Sequence, residues 1–404
     1  MAAAGCSVIR NSKRRSKRCC DRRRIIPDYE YITQPGSRDQ AVTELMQCAV
    51  IGVDTEGDSL YSYEEQVSLI QISGGGRHYI FDPLLLDTVK PLGPLFENRS
   101  ILKIFHGSDY DVVSMKRDFQ FQTGPIFDTA LAARAIGIQR FSLQSLIEKY
   151  FQITLSKKYQ KANWRLRPLS AEQLDYASGD TRYLIQLHAL LKAEVEKKGR
   201  LDQVEEECRL MEEITWNGRP FEPNDYLRIK GARLLPEPSQ KVLRELIVAR
   251  DQLAKEKNRP PFKVISGRHF IEMAKALPQD LSALTALFPN KNSAVLKHAP
   301  IWLDAVAKGL KTDRPLPERV KNNRASMTPE QKILFQQLKE WRNGQAEAEE
   351  VEPAMVFTAA VLEEIARVRP VTIDGFGAIA LVRPWQTKRY GETLLKIIAE
   401  AKAS

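Results

Sequence analysis

The second half of this chain is written twice, and that limits the folds open to it more than any other feature. Leu246, Arg250, Ala254, Pro261, Val264, Glu272, Ala274 and Pro278 recur as Leu338, Arg342, Ala346, Pro353, Val356, Glu364, Ala366 and Pro370. Each pair is 92 residues apart, without a gap. Apolar residues here recur at helical spacing and strand-like runs are missing, so the repeat unit reads as a small helical domain. The expected copies span residues 235–313 and 328–404, the second more degenerate, joined by a linker at 314–327 that contains Arg314-Pro-Leu-Pro317.

The first half has a different texture. Ala49-Val-Ile-Gly-Val53 is a short β-branched run, and Val67-Ser-Leu-Ile-Gln-Ile72 and His78-Tyr-Ile-Phe81 flank a triple glycine, Gly74 to Gly76. That pattern predicts a strand followed by a hairpin with glycines at the turn. Ile101-Leu-Lys-Ile-Phe105 predicts a further buried strand, and Leu143 to Tyr150 shows helical spacing. Mixed strands and helices up to about Trp216 predict one α/β domain over residues 26–217, its sheet not purely parallel. Pro220 and Pro223 then open a linker expected at 218–234.

Charge and cysteine content narrow the function classes. The net charge is +10, but Arg10, Lys13, Arg14, Arg15, Lys17, Arg18, Arg22, Arg23 and Arg24 against Asp21 put +8 of it into residues 1–25. The rest of the chain is nearly neutral. Residues 1–25 are expected to be a disordered, dispensable basic arm, with a nucleic-acid tether or an organelle transit peptide as functional alternatives. The five cysteines (Cys6, Cys19, Cys20, Cys48 and Cys208) form neither a disulfide framework nor a C-x-x-C zinc pattern. A reducing intracellular compartment is expected. No apolar run is long enough to cross a bilayer, and no G-x-x-x-x-G-K-[ST] is present, which excludes a helicase motor or other nucleotide-triphosphate machine of that type.

The chemistry-bearing residues lie in the first half. Asp54-Thr-Glu56 follows the apolar run that ends at Val53. Residues two apart in a strand share a face about 6.6–7 Å apart, so the carboxylates sit side by side at the expected strand end. Asp111, in His106-Gly-Ser-Asp-Tyr-Asp111, comes straight after the next apolar strand and is expected to open a helix. Tyr176-Ala-Ser-Gly-Asp180 lies on a helix opened by the capping box Ser170-Ala-Glu-Gln173, with Leu174, Tyr183, Leu184, Leu187 and Leu191 as its expected apolar stripe, so Tyr176 and Asp180 share one face a turn apart. Taken singly, each has an ordinary structural explanation: a solvated strand end, a helix-dipole acid, a helical Tyr–Asp contact. Together they are a set of hard oxygen ligands of the kind Mg²⁺ or Mn²⁺ prefers.

In this order, D-x-E, H-x-x-x-x-D and Y-x-x-x-D resemble the DEDDy 3′–5′ exonuclease superfamily, in its ribonuclease D branch. Phe127-Asp-Thr-Ala-Leu-Ala-Ala133 and Trp164-Arg-Leu-Arg-Pro-Leu169 agree with it. Both repeats resemble the HRDC domain, through Leu246, Arg250, Ala254 and Pro260-Pro-Phe-Lys-Val264, although the second copy has Ala354 where the first has an aromatic residue. The resemblance implies a ribonuclease H-like mixed sheet flanked by helices, followed by two HRDC-like helical domains. It implies two divalent cations, with Asp54 bridging them, Glu56 and Asp180 completing one site, Asp111 supporting the other and Tyr176 orienting the attacking water. The implied substrate is a single-stranded RNA 3′ end, tRNA precursors among them, in a bacterial cytoplasm, released as nucleoside 5′-monophosphates. His106, Trp164, Arg165 and Arg167 are the expected substrate contacts, with a buried tryptophan beside solvated arginines as the alternative. A 3′–5′ DNA exonuclease and a catalytically dead nucleic-acid-binding scaffold are the competing readings.

Overall fold

The computed structural model describes residues 28–218, 220–290, 293–317 and 326–403, so the expectations for the basic arm lie outside the described residues. A mixed six-stranded sheet has the order β1 (Glu30–Ile32), β4 (Arg77–Phe81), β3 (Val67–Gly74), β2 (Val50–Gly57), β5 (Leu102–Phe105) and β6 (Ile126–Asp128). β3 runs antiparallel to both neighbours, and the other pairings are parallel. The expected hairpin is present. Gly75 and Gly76 have φ of +59° and +79°, as a two-residue turn matched to the right-handed strand twist requires.

Alternation along β2 separates the two faces. Ile51 and Val53 face a core with Ile70, Ile72, Val112 and Met115, covered by α1 (Pro35–Leu45), α2 (Gly93–Glu97) and α3 (Asp109–Phe119). Gly52, Asp54 and Glu56 face the opposite way. The helices α4 (Thr129–Ala135), α5 (Leu143–Phe151), α6 (Ala171–Arg182), α7 (Leu184–Lys197) and α8 (Leu201–Glu213) complete this domain.

Two expectations need correction here. β2 does not stop at Val53: its ladder with β3 continues from Gly52↔Ser73 through Asp54↔Gln71 and Glu56↔Leu69 to Gly57↔Val67. The ladder uses backbone groups, so acidic side chains do not end it. Its pairing with β5, however, ends at Gly52↔Ile104, and the acidic half of the strand therefore has an open edge. The helix carrying Tyr176 also does not run on through Leu191. It breaks at Tyr183, sending Leu174 into one cluster with Trp164 and Leu184, Leu187 and Leu191 into another.

The repeat is structural. Helices α9 (Glu237–Glu256), α10 (Pro261–Val264), α11 (Gly267–Ala276), α12 (Leu281–Leu287), α13 (Ala294–Lys297) and α14 (Ala299–Lys311) make the first copy. The second contains α15 (Pro329–Ala348), α16 (Ala359–Val368), α17 (Ile373–Gly377) and α18 (Pro384–Ala403). α9 and α15, and α11 and α16, match end to end at the 92-residue offset. Even the left-handed residues correspond: Asn258 with Glu350 (φ 44° and 56°) and Leu277 with Arg369 (φ 50° and 53°). The segment expected as a linker is partly core, because Tyr226 and Ala232 are fully buried against the first copy.

The copies meet the α/β domain differently. The first keeps its own core, around Leu246, Phe270 and Trp302. It touches the β2–β3 loop, where the Tyr63 hydroxyl lies 2.8 Å from Asp251 Oδ1 and the Tyr63 N–H donates to Asn258 at 3.1 Å. The second shares one continuous core with α4, α7 and α8, joining Leu338, Phe357 and Ile365 to Leu187, Val204 and Cys208. A Cβ on Gly137, whose φ is +87°, would fall 2.0 Å from the Glu350 carbonyl oxygen, so that close approach requires glycine. Among the described residues, no helix is long and apolar enough to cross a membrane.

Candidate active site

Three carboxylates converge at the open edge of β2. Asp54, Glu56 and Asp180 each offer an oxygen within 4.8 Å of the others. The first two come from one face of β2, and the third comes from α6, which packs across that face. The α6 start is fixed by the expected capping box: Ser170 Oγ accepts from Gln173 N–H at 3.2 Å, and Gln173 Oε1 accepts from Ser170 N–H at 3.0 Å. One turn before Asp180, the Tyr176 ring packs against Trp164 (5.9 Å between centroids) and Tyr159 (6.1 Å).

Asp111 arrives from the other side of the sheet, in the first turn of α3. Thr55 Oγ1 donates to Asp111 Oδ1 at 2.5 Å, so the residue between the two β2 acids holds the fourth. Asp128 anchors the turn into α3, accepting from Gly107 N–H at 3.1 Å and Ser108 N–H at 2.6 Å, while also capping α4. Sequence reasoning passed over Thr55 and Asp128. A hydroxyl between two acids and an aspartate before a helix were the signals available. Asp109 is exposed.

Burial, then mutual repulsion, sets the electrostatics. Desolvation is the largest cause raising the Asp54 and Glu56 carboxyls, followed by neighbouring carboxylates. Asp111 and Asp180 are pushed up to about 7, again chiefly by desolvation. Tyr176 is raised by burial and then by Asp180, Glu56 and Asp54, so its hydroxyl keeps its proton at neutral pH. Among the described residues no lysine or arginine is paired with these crowded oxygens, and they fit a divalent ion, because opposite charge relieves both penalties. A cleft of about 540 Å³ opens beside them, lined by Ser156, Lys158, Tyr159, Tyr176, Gly179 and Asp180.

The expected substrate contacts fare less well. Trp164 is 1% exposed, under Leu69, Ile80 and Leu174, and offers no face for base stacking. Arg167 is not solvated. It clamps the fully buried Asp82 through Nε (2.6 Å) and Nη2 (2.8 Å) and donates to the carbonyls of Trp164 and Ser68. His106 Nδ1 lies 3.0 Å from Thr129 Oγ1, and burial lowers its pKa, as for a structural histidine. Arg165 is the exception: its side chain stays 44% exposed while Nη1 reaches Ser62 Oγ at 3.0 Å.

Comparison with known proteins accords with this arrangement. A 3′-5′ exonuclease family model matches residues 29–196, and the HRDC domain model matches residues 239–306 and 331–398. Ribonuclease D of Pseudomonas paraeruginosa is 26% identical over 382 residues, covering 93% of this chain and 99% of that protein. The exosome complex exonuclease RRP6 of Saccharomyces cerevisiae is 29% identical over 306 residues, covering 72% of this chain but only 41% of that protein. Among solved structures, Escherichia coli RNase D superposes with a TM-score of 0.67 at 23% identity, over 93% of this chain and 99% of that one. The catalytic core of Trypanosoma brucei RRP6 does so with 0.62 at 27% identity, over 71% of this chain and 80% of that one.

Proposed function

We propose that this chain, which the 3′-5′ exonuclease model matches over residues 29–196 and the HRDC model over two later stretches, and which is similar to ribonuclease D along nearly its whole length, shortens RNA from the 3′ end at the carboxylate cluster. The observation that carries this is the meeting of Asp54, Glu56 and Asp180 within 4.8 Å, with Tyr176 one turn from Asp180. The products are nucleoside 5′-monophosphates, and the natural substrates are structured RNAs whose 3′ ends are single-stranded, tRNA precursors among them.

Asp54, Glu56 and Asp180 would hold one divalent cation, Mg²⁺ or Mn²⁺, and Asp54 with Asp111 a second. Such cations supply Lewis-acid activation of water and stabilisation of the departing oxygen. Thr55 holds the Asp111 carboxylate in place by donating its hydroxyl to Oδ1. The protonated Tyr176 hydroxyl, its ring braced by Trp164 and Tyr159, orients the attacking water by hydrogen bonding rather than by taking its proton. Lys158, at the cleft wall, supplies positive charge beside the entering backbone.

The test uses 5′-labelled single-stranded RNA and the matched DNA with Mg²⁺, Mn²⁺ or EDTA. The expected result is a metal-dependent ladder shortening from the RNA 3′ end, with Asp180→Asn slower by about 10²–10³, the scale of losing a main electrostatic group. Faster digestion of the DNA would assign a DNA exonuclease. RNA binding without hydrolysis under either metal would assign a scaffold.

A further inference from the structure

Gln71 lies against the carboxylate cluster but has no place in the machinery described so far. It sits on β3 directly across from Asp54, with Leu69 across from Glu56 and Ser73 across from Gly52. Cross-strand partners project to the same face with Cβ atoms about 4.5–5.5 Å apart, so Gln71 shares its face with the two β2 acids. α6 roofs that face. Leu69 packs with Leu174 and Ala177, and Ser73 Oγ lies 2.7 Å from Thr181 Oγ1. Gln71, between them, is therefore beneath the part of α6 that carries Asp180.

Its two neighbours on β3 are satisfied, one by apolar packing and one by a hydroxyl pair. Gln71 is not. It is fully buried, yet among the described residues neither its carboxamide nitrogen nor its oxygen meets a hydrogen-bond partner. Leaving a buried polar group unpaired costs about 1–3 kcal/mol, and an apolar side chain of similar shape would avoid the cost. A carboxamide brings two N–H donors and no charge, which suits a site where acceptor oxygens crowd together.

We infer that Gln71 is a positioning residue for the cation site: unpaired in this structure, its carboxamide N–H turns to donate to the Asp54 carboxylate across the strand when a cation is bound, and holds it in the orientation that presents an oxygen to the cleft. The inference rests on the reading of Asp54, Glu56 and Asp180 as cation ligands. Groups that orient ligands in this way typically change metal affinity by about 10–100-fold when removed.

The experiment titrates the full chain with Mn²⁺ by calorimetry, comparing wild type, Gln71→Met and Ser73→Ala. Thermal melts and RNA hydrolysis are run in parallel. Gln71→Met keeps the volume and removes the donor. It is expected to melt normally, to bind Mn²⁺ about tenfold more weakly or worse, and to lose kcat with little change in KM for RNA. Excess Mn²⁺ is expected to restore part of that loss. Ser73→Ala breaks a hydrogen bond on the same buried face and is expected to leave Mn²⁺ affinity within about twofold. Wild-type affinity in Gln71→Met overturns the inference alone, as does an equal loss in Ser73→Ala. A wild-type protein that takes up no Mn²⁺ and leaves RNA intact overturns the functional reading and the inference together. Should Gln71→Met not fold, ¹⁵N-glutamine labelling of the wild type decides. A Gln71 side-chain amide resonance that shifts on Mg²⁺ addition supports the inference, and one that stays fixed overturns it.

Discussion

At the residue scale, the acids that promise activity also cost stability. The Asp180 carboxyl holds its proton up to about 7 in the folded protein, against roughly 3.9 for an unperturbed aspartate. The folded state thus binds this proton more tightly than the unfolded state, and the ionised form carries a penalty that is complete above pH 7. As pH falls through 7 toward 4 the penalty is withdrawn. Asp180→Asn never carries it. In EDTA, that variant is expected to melt above wild type at pH 8, with the gap narrowing toward pH 5. Equal melting at pH 8 would show that the ionised carboxylate is no liability. The ordered acids were legible because their spacing is local. The partners of Trp164 and Arg167 were not: Asp82 lies 85 positions from Arg167, and nothing within either segment announces the pairing.

At the element scale, a helix and a strand each serve two demands at once. α6 must pack on the sheet and also border the cleft, and Gly179 sits where these meet. A Cβ there would have only Leu155 Cδ2 nearby, at 4.0 Å, so the protein itself does not require glycine. Gly179→Ala is expected to stabilise the fold by about 0.5–1 kcal/mol through helix propensity, while its methyl group intrudes on the cleft and raises KM for RNA. Greater stability with unchanged KM would show that the substrate does not pass over this turn. The strands, the hairpin and the α6 start could be read from apolar runs, glycines and a capping box. The true extent of β2 could not, because charged side chains end an apolar pattern without ending a backbone ladder.

At the scale of the whole molecule, the duplicated domains are unequal partners of the nuclease. The second is continuous with its core and the first keeps a core of its own. Calorimetric melting is therefore expected to show Phe357→Ala lowering the transition that divalent cations stabilise, and Trp302→Ala lowering a separate one. Each truncation should cost about 3–5 kcal/mol. A single transition moved equally by both would mean that the three domains unfold as one. The duplication itself was legible from matching residues at a fixed offset. Which copy would merge with the nuclease was not, since that depends on surfaces brought together only by folding.

The matched offsets carry one more consequence. Asn258 touches the nuclease in the first copy through Tyr63, and its twin Glu350 touches it in the second, 3.6 Å from Lys198. Each module has turned the same side inward, toward a different patch of one host. Outward-facing sides are left over, and these have drifted apart: Phe262 stands 57% exposed in the first copy, where the second has only Ala354. Anything that approaches from outside thus meets two dissimilar handles. Loss of one is a loss of kind rather than of number, and the surviving twin is no spare.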